Sequence, residues 1–119
     1  MARILVVDDE PAQRFMLRRI LERAGHEVTD AGDGAAALRA VRESPPDLVV
    51  TDMMMPVMDG SELIRQLRRE PATAGIPILA ASGDPKLAAG ADAVISKPYR
   101  PERLTEVADG LLREGRGVQ

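Results

Sequence analysis

Residues 47–60 read "DLVVTDMMMPVMDG": an apolar run, Leu48 to Val50, passes through Thr51 to Asp52, and three methionines, Met53 to Met55, follow before Pro56. A run this short, bounded by turn-forming residues and rich in β-branched side chains, reads as a strand buried on both faces. Asp52 ends it. The same pattern recurs along the chain: "RILVV" (3–7) runs into Asp8 and Asp9, "IPILAA" (76–81) into Ser82, and "AVIS" (93–96) into Lys97. "EVTDA" (27–31) is a fifth run, more polar and suited to a more exposed strand.

Helix-period segments separate these runs. "PAQRFMLRRILERAG" (11–25) predicts one face made of Phe15, Met16, Ile20, Leu21 and Ala24, with Gly25 as the stop. Asp33 predicts the N-cap of a helix lined by Ala37, Leu38 and Val41. Residues 61–70 hold Leu63, Ile64 and Leu67 on one side, and Pro71 ends them. From Pro101, the residues Leu104, Val107, Ala108 and Leu111 follow the i, i+3, i+4, i+7 spacing. Buried strands alternating with amphipathic helices predict an α/β domain, a parallel sheet covered on both faces. Only ten residues, 83–92, join the fourth and fifth strands, leaving room for about one helical turn. "DPKLAAG" supplies that turn, with Asp84 capping and Pro85 in its first position. "EGRGVQ" (114–119) reads as a flexible tail.

Composition bounds the function. A length of 119 residues, 45% of them apolar, suits a single globular domain. The formal charge of −3 leaves no electrostatic footprint for direct nucleic-acid or anionic-membrane binding. No cysteine occurs, so there is neither a disulfide framework nor thiol chemistry. No apolar run approaches the ~20 residues of a membrane span, and the cytoplasm is the expected compartment. Fourteen of the sixteen basic residues are arginines, which makes the placement of Lys97 informative.

In an open parallel α/β sheet the strand C-termini share one edge, where such folds bind ligands. Asp8, Asp9, Asp52, Ser82 and Lys97 are thereby predicted to meet. Clustered carboxylates repel one another unless protonated or neutralised by a cation. Magnesium suits them, because it takes hard oxygen ligands and is held by one or two carboxylates together with a phosphate. A carboxylate can act as a nucleophile and form an aspartyl phosphate. An ammonium and a hydroxyl would then meet the negative charge spread over a transferring phosphoryl group.

These residues resemble the receiver domains of two-component response regulators, the CheY-like family, along essentially the whole chain. "ILVVDDE" is similar to the family's first strand and acidic pair, and "DLVVTDMMMPVMDGSEL" to its phosphoacceptor strand and D-x-x-M-P-x-M-D-G loop. "ILAASG" and "GADAVISKPY" are similar to its hydroxyl and K-P motifs. The resemblance implies a flavodoxin-like, doubly wound five-stranded parallel sheet of order 2-1-3-4-5, here with a shortened fourth helix, and a single receiver domain over residues 1–119. It implies that Asp52 accepts phosphate from a sensor histidine kinase or histidine phosphotransfer protein. Asp9, Asp52 and the Met54 backbone carbonyl would hold Mg2+ or Mn2+, with Asp8 acting mainly through a water. Ser82 and Lys97 would contact phosphoryl oxygens, and the Lys97–Pro98 bond is expected to be cis. Such a module is not an enzyme beyond its own phosphorylation and dephosphorylation. It is expected as a monomer or weak dimer, without a separate effector domain, signalling to an unknown downstream protein.

The sequence departs from the family at four places. Val94 stands where an aromatic switch residue is usual, three positions before the lysine, and Tyr99 stands where phenylalanine is usual. The fourth crossover, part of the face that commonly carries dimerisation and output, is shortened. Arg100 occupies the usual capping position of the last helix. An alternative is a pseudo-switch interaction module with a constitutive surface. A dehalogenase-like phosphatase would share the aspartyl nucleophile, but its D-x-D-x-[TV] strand is missing. His26, the lone histidine, reads as a surface residue.

Overall fold

The computed structural model describes residues 2–84, 86 and 88–114. Five strands, β1 (Arg3–Val7), β2 (Glu27–Ala31), β3 (Leu48–Asp52), β4 (Ile78–Ser82) and β5 (Ala93–Ser96), form one parallel sheet in the order β2-β1-β3-β4-β5. Four helices accompany them: α1 (Pro11–Arg23), α2 (Gly34–Glu43), α3 (Gly60–Arg69) and α4 (Pro101–Glu114). This is the doubly wound, flavodoxin-like architecture expected from the alternating pattern.

Side chains alternate between the two sheet faces. Leu5, Val7, Val49, Ile78 and Ala80 enter a core sealed by Ala37, Leu38 and Val41 of α2 and Leu63, Ile64 and Leu67 of α3. Ile4, Val6, Leu48, Val50, Leu79, Ala81 and Ile95 enter the opposite core, closed by Leu17 and Leu21 of α1 and Leu104 and Ala108 of α4. Double coverage explains why the strands read as unbroken apolar runs.

The α1 face differs from the expectation. Phe15 is 62% exposed and Met16 47% exposed, and Leu17 is buried in their place. The stripe is Leu17, Ile20 and Leu21, which keeps the helical spacing but is turned by about one position. Hydrophobicity alone did not separate these candidates on a helix with apolar residues at 15, 16 and 17.

Caps set the starts of the next two helices. Asp33 accepts a hydrogen bond from the Ala36 N–H at 2.7 Å, as expected, and Asp59 accepts one from Glu62 N–H at 2.9 Å. Gly60 is required for close approach: a Cβ there would lie 2.6 Å from the Asp52 carbonyl oxygen and from the Met53 sulfur.

The connection from β4 to β5 carries no α-helix among the described residues. The single turn expected there falls partly on Pro85 and Leu87, which lie outside them. Arg68 of α3 fastens this segment. Its Nη1 donates to the carbonyls of Ala74 (2.9 Å) and Ile76 (2.7 Å), and its Nη2 to Gly90 O (3.1 Å) and the Asp92 carboxylate (2.6 Å). Asp92 in turn accepts from Ile78 N–H at 2.8 Å, so one guanidinium binds α3 to both flanks of β4.

Two further expectations are corrected. His26 is not a free surface group: its side chain is 11% exposed, with Nε2 2.9 Å from the Asp109 carboxylate of α4, and Ala2 N–H reaches Nδ1 at 3.4 Å. Glu114 closes α4 and does not begin a tail; residues 115–119 lie outside the described ones.

Candidate functional site

Strand register assembles the site. Val7 pairs with Thr51, Asp52 with Ala81 and Ser82 with Ser96, so Asp8, Asp52, Ser82 and Lys97 all emerge at the same sheet edge. One ligand oxygen from each of Asp8, Asp9 and Asp52 can be chosen so that all lie within 4.8 Å of one another. Asp8 and Asp52 are buried, at 2% and 6% exposure, whereas Asp9 faces solvent.

Placing three acids together perturbs the innermost. Burial pushes the Asp8 carboxyl above the usual aspartate range, and the negative charges of Asp52 and Asp9 push the same way. A hydrogen bond from Glu10 N–H (2.9 Å) and the Lys97 ammonium oppose that rise. Lys97 Nζ lies 2.5 Å from Asp52 Oδ1, and the Lys97–Pro98 bond is cis, as expected. Hard carboxylate oxygens, two acids buried and one at the surface, net negative and beside the Lys97 ammonium, suit a magnesium or manganese ion.

The Ser82 hydroxyl is 1% exposed and turned into its own loop, donating to Asp84 O at 2.7 Å and accepting from Asp84 N–H at 3.0 Å. The methionines after Asp52 separate clearly. Met53 and Met55 are core residues, at 2% and 8% exposure, whereas Met54 is 68% exposed. Met53 lies under Gly60, whose N–H donates to the Met53 carbonyl at 3.0 Å and so ties the start of α3 to the acceptor strand. Val94 is partly buried against the α2–α3 core. Tyr99 is half-buried on the other face, its hydroxyl pushed up to about 12 by burial and by the charges of Asp8 and Asp52.

Sequence reasoning missed the cap and close packing at Asp59–Gly60, although Asp59 with Glu62 three residues later is a helix-start signature. It also missed the Arg68–Asp92 pair, for which sequence carries no local signal.

Residues 4–109 match the family described as "Response regulator receiver domain". The chain belongs to that family. It is 42% identical over 118 residues to the DNA-binding response regulator MtrA of Mycolicibacterium smegmatis, covering 93% of this chain and 50% of that protein. It is 37% identical to the alkaline phosphatase synthesis transcriptional regulatory protein PhoP of Bacillus subtilis, covering 93% and 48%. This chain therefore spans about half the length of the curated relatives it matches. Among solved structures it is similar to the chemotaxis response regulator CheY4 of Vibrio cholerae, with TM-score 0.87, 32% identity and coverage of 93% and 98%. It is also similar to the signal receiver domain of a histidine kinase from Syntrophus aciditrophicus, with TM-score 0.90, 32% identity and coverage of 100% and 96%.

Proposed function

We propose that residues 1–119 form one receiver domain that takes a phosphoryl group onto Asp52 from a phosphohistidine on a sensor kinase or phosphotransfer protein. The observation that carries this reading is the recessed Asp52 carboxylate, paired with Lys97 inside a three-acid cluster. An Asp52 carboxylate oxygen attacks phosphorus as the phosphorus–nitrogen bond breaks, and the imidazole nitrogen keeps that electron pair and takes up a proton. Lys97 moves from the carboxylate to a phosphoryl oxygen, and Ser82 donates to another after releasing the Asp84 carbonyl. Asp8, Asp9, Asp52 and the Met54 carbonyl would hold Mg2+ or Mn2+, which when bound neutralises phosphoryl charge. The chain is then not an enzyme toward other substrates. A cytoplasmic monomer or weak dimer that passes its signal to a further protein fits this reading. DNA binding is a property of MtrA, one of the named relatives. The constitutive alternative would keep Asp52, Ser82 and Lys97 as well and rests on Val94 and the short β4–β5 connection alone; none of the named relatives supports it.

Beryllofluoride with magnesium mimics the acyl phosphate. It should shift the amide resonances of Asp52, Ser82 and Lys97, and an unchanged spectrum would sink the reading. A second result concerns lifetime. The exposed Met54 side chain stands at the mouth and hinders the water that hydrolyses the acyl phosphate. Met54→Asn, which exchanges the thioether for a shorter polar group, should speed dephosphorylation about tenfold, or about 1.4 kcal/mol in barrier. Equal decay rates for the two chains would rule this out.

A further inference from the structure

The chain has six methionines and no cysteine, so a hydroperoxide that reaches it meets thioethers and no thiol. Burial ranks those thioethers. Met53 and Met55 are sealed in the core, and Met58 packs against the same core. Met16 is about half covered, in the groove that it lines with Ile20, Pro98 and Tyr99. Met54, at 68% exposure, is the most open methionine among the described residues. Oxygen transfer to sulfur requires the peroxide to touch it, so Met54 reacts first.

Its two neighbours show why this position can bear the change. A sulfoxide at 53 or 55 would bury a strong acceptor without a partner and loosen the packing under Asp52. At 54 the new oxygen faces water, and the fold is spared. The effect falls on the site instead, because Met54 lies two residues past Asp52 at the end of β3. A thioether is a weak acceptor that covers the mouth without holding a water. A sulfoxide oxygen is a strong one, and it can hold and orient a water beside the acyl phosphate.

We propose that Met54 is a modification site, at which a hydroperoxide converts the thioether to a sulfoxide and thereby shortens the life of the phosphoryl group on Asp52. The sulfur is oxidised by two electrons and takes the terminal peroxide oxygen; the O–O bond breaks, and the peroxide leaves as an alcohol, or as water from hydrogen peroxide. In the hydrolysis that follows, the held water attacks phosphorus, the bond to the Asp52 oxygen breaks with the carboxylate keeping the electron pair, and the water gives its proton to solvent. This role rests on the phosphoacceptor reading and adds a chemical input that sets how long the signal lasts. A sulfoxide reductase reverses it.

Dilute hydrogen peroxide followed by peptide mapping gives the first readout. Met54 should gain one oxygen at least about tenfold faster than Met53 or Met55, and ahead of Met16, with Tm moved by less than about 2 °C. The chain is then labelled from acetyl phosphate with magnesium, before and after peroxide, and the loss of acid-labile phosphate is timed. Oxidation should speed that loss about fivefold, less than Met54→Asn does, because the sulfoxide keeps the length of the side chain. Treatment with methionine sulfoxide reductase should restore the slower rate. Met54→Leu, which has no sulfur at this position, should decay at the same rate before and after peroxide, whereas Met16→Leu should respond as the wild-type chain does. Oxidation of Met16, Met53 or Met55 ahead of Met54 overturns the proposal, as does an unchanged decay rate in a chain oxidised at Met54, or an equal response in Met54→Leu. Failure of the untreated chain to label from acetyl phosphate or from any phosphohistidine donor refutes the phosphoacceptor reading itself, and this role falls with it.

Discussion

An Asp52→Asn chain should incorporate no acid-labile phosphate from acetyl phosphate or from a phosphohistidine donor, a fall of at least about 10³-fold. The substitution keeps the size and shape of the side chain, so the β3 end and the Gly60 packing against it are preserved. What is lost is the anionic oxygen, since an amide is a poor nucleophile toward phosphorus. Electrostatics supplies an independent check on the same protein. Asp52 is among the charges that raise Asp8, and without it the Asp8 carboxyl should titrate lower, readable by NMR. The sign for stability follows. A carboxyl whose folded-state pKa lies above its ordinary value of 3.8 favours the native state most at low pH, and that contribution is lost as pH rises through the folded-state value. Phosphate on Asp52→Asn at wild-type levels would mean that another residue is the acceptor.

Arg68→Ala should be strongly destabilising for a change at a polar helix position, by roughly 3–5 kcal/mol. Arg68 and Asp92 are 15% and 12% exposed, so the pair is largely out of water. Truncation removes the compensating charge beside Asp92 and the donors to Ala74, Ile76 and Gly90. A urea midpoint lowered accordingly, with a Tm fall of about 10–20 °C, is the expected result. Arg68→Lys should recover little of it, because an ammonium cannot present the flat fork that reaches four acceptors. A loss under about 1 kcal/mol would show that the segment between β4 and β5 is held by other means.

The contrast between these two positions shows what the sequence made legible. Asp52 could be found because a buried strand must stop somewhere, and a parallel sheet gathers its strand ends along one edge. Asp8, Asp9, Ser82 and Lys97 were legible for the same reason, and β1, β2 and β5 lie where their apolar runs lie. Arg68 was not legible. It occupies an ordinary polar position of an amphipathic helix, and its importance arises only where chain from 74–76 and from 90–92 converges. His26 escaped likewise, since its partner Asp109 lies 83 residues away. On α1 the period was read correctly and the phase was not, because Phe15, Met16 and Leu17 offered three consecutive apolar choices.

Tyr99 gives the domain an optical property. With no tryptophan and one tyrosine in the chain, near-ultraviolet absorption and emission come almost wholly from that ring. The ring lies on the α1–α4 face, two residues past Lys97 and within the field of Asp8 and Asp52. Its hydroxyl, pushed up to about 12, stays neutral in any ordinary buffer, so no phenolate band intrudes. Tyr99 emission is therefore the intrinsic signal to follow when charge at the acid cluster changes, with no introduced label.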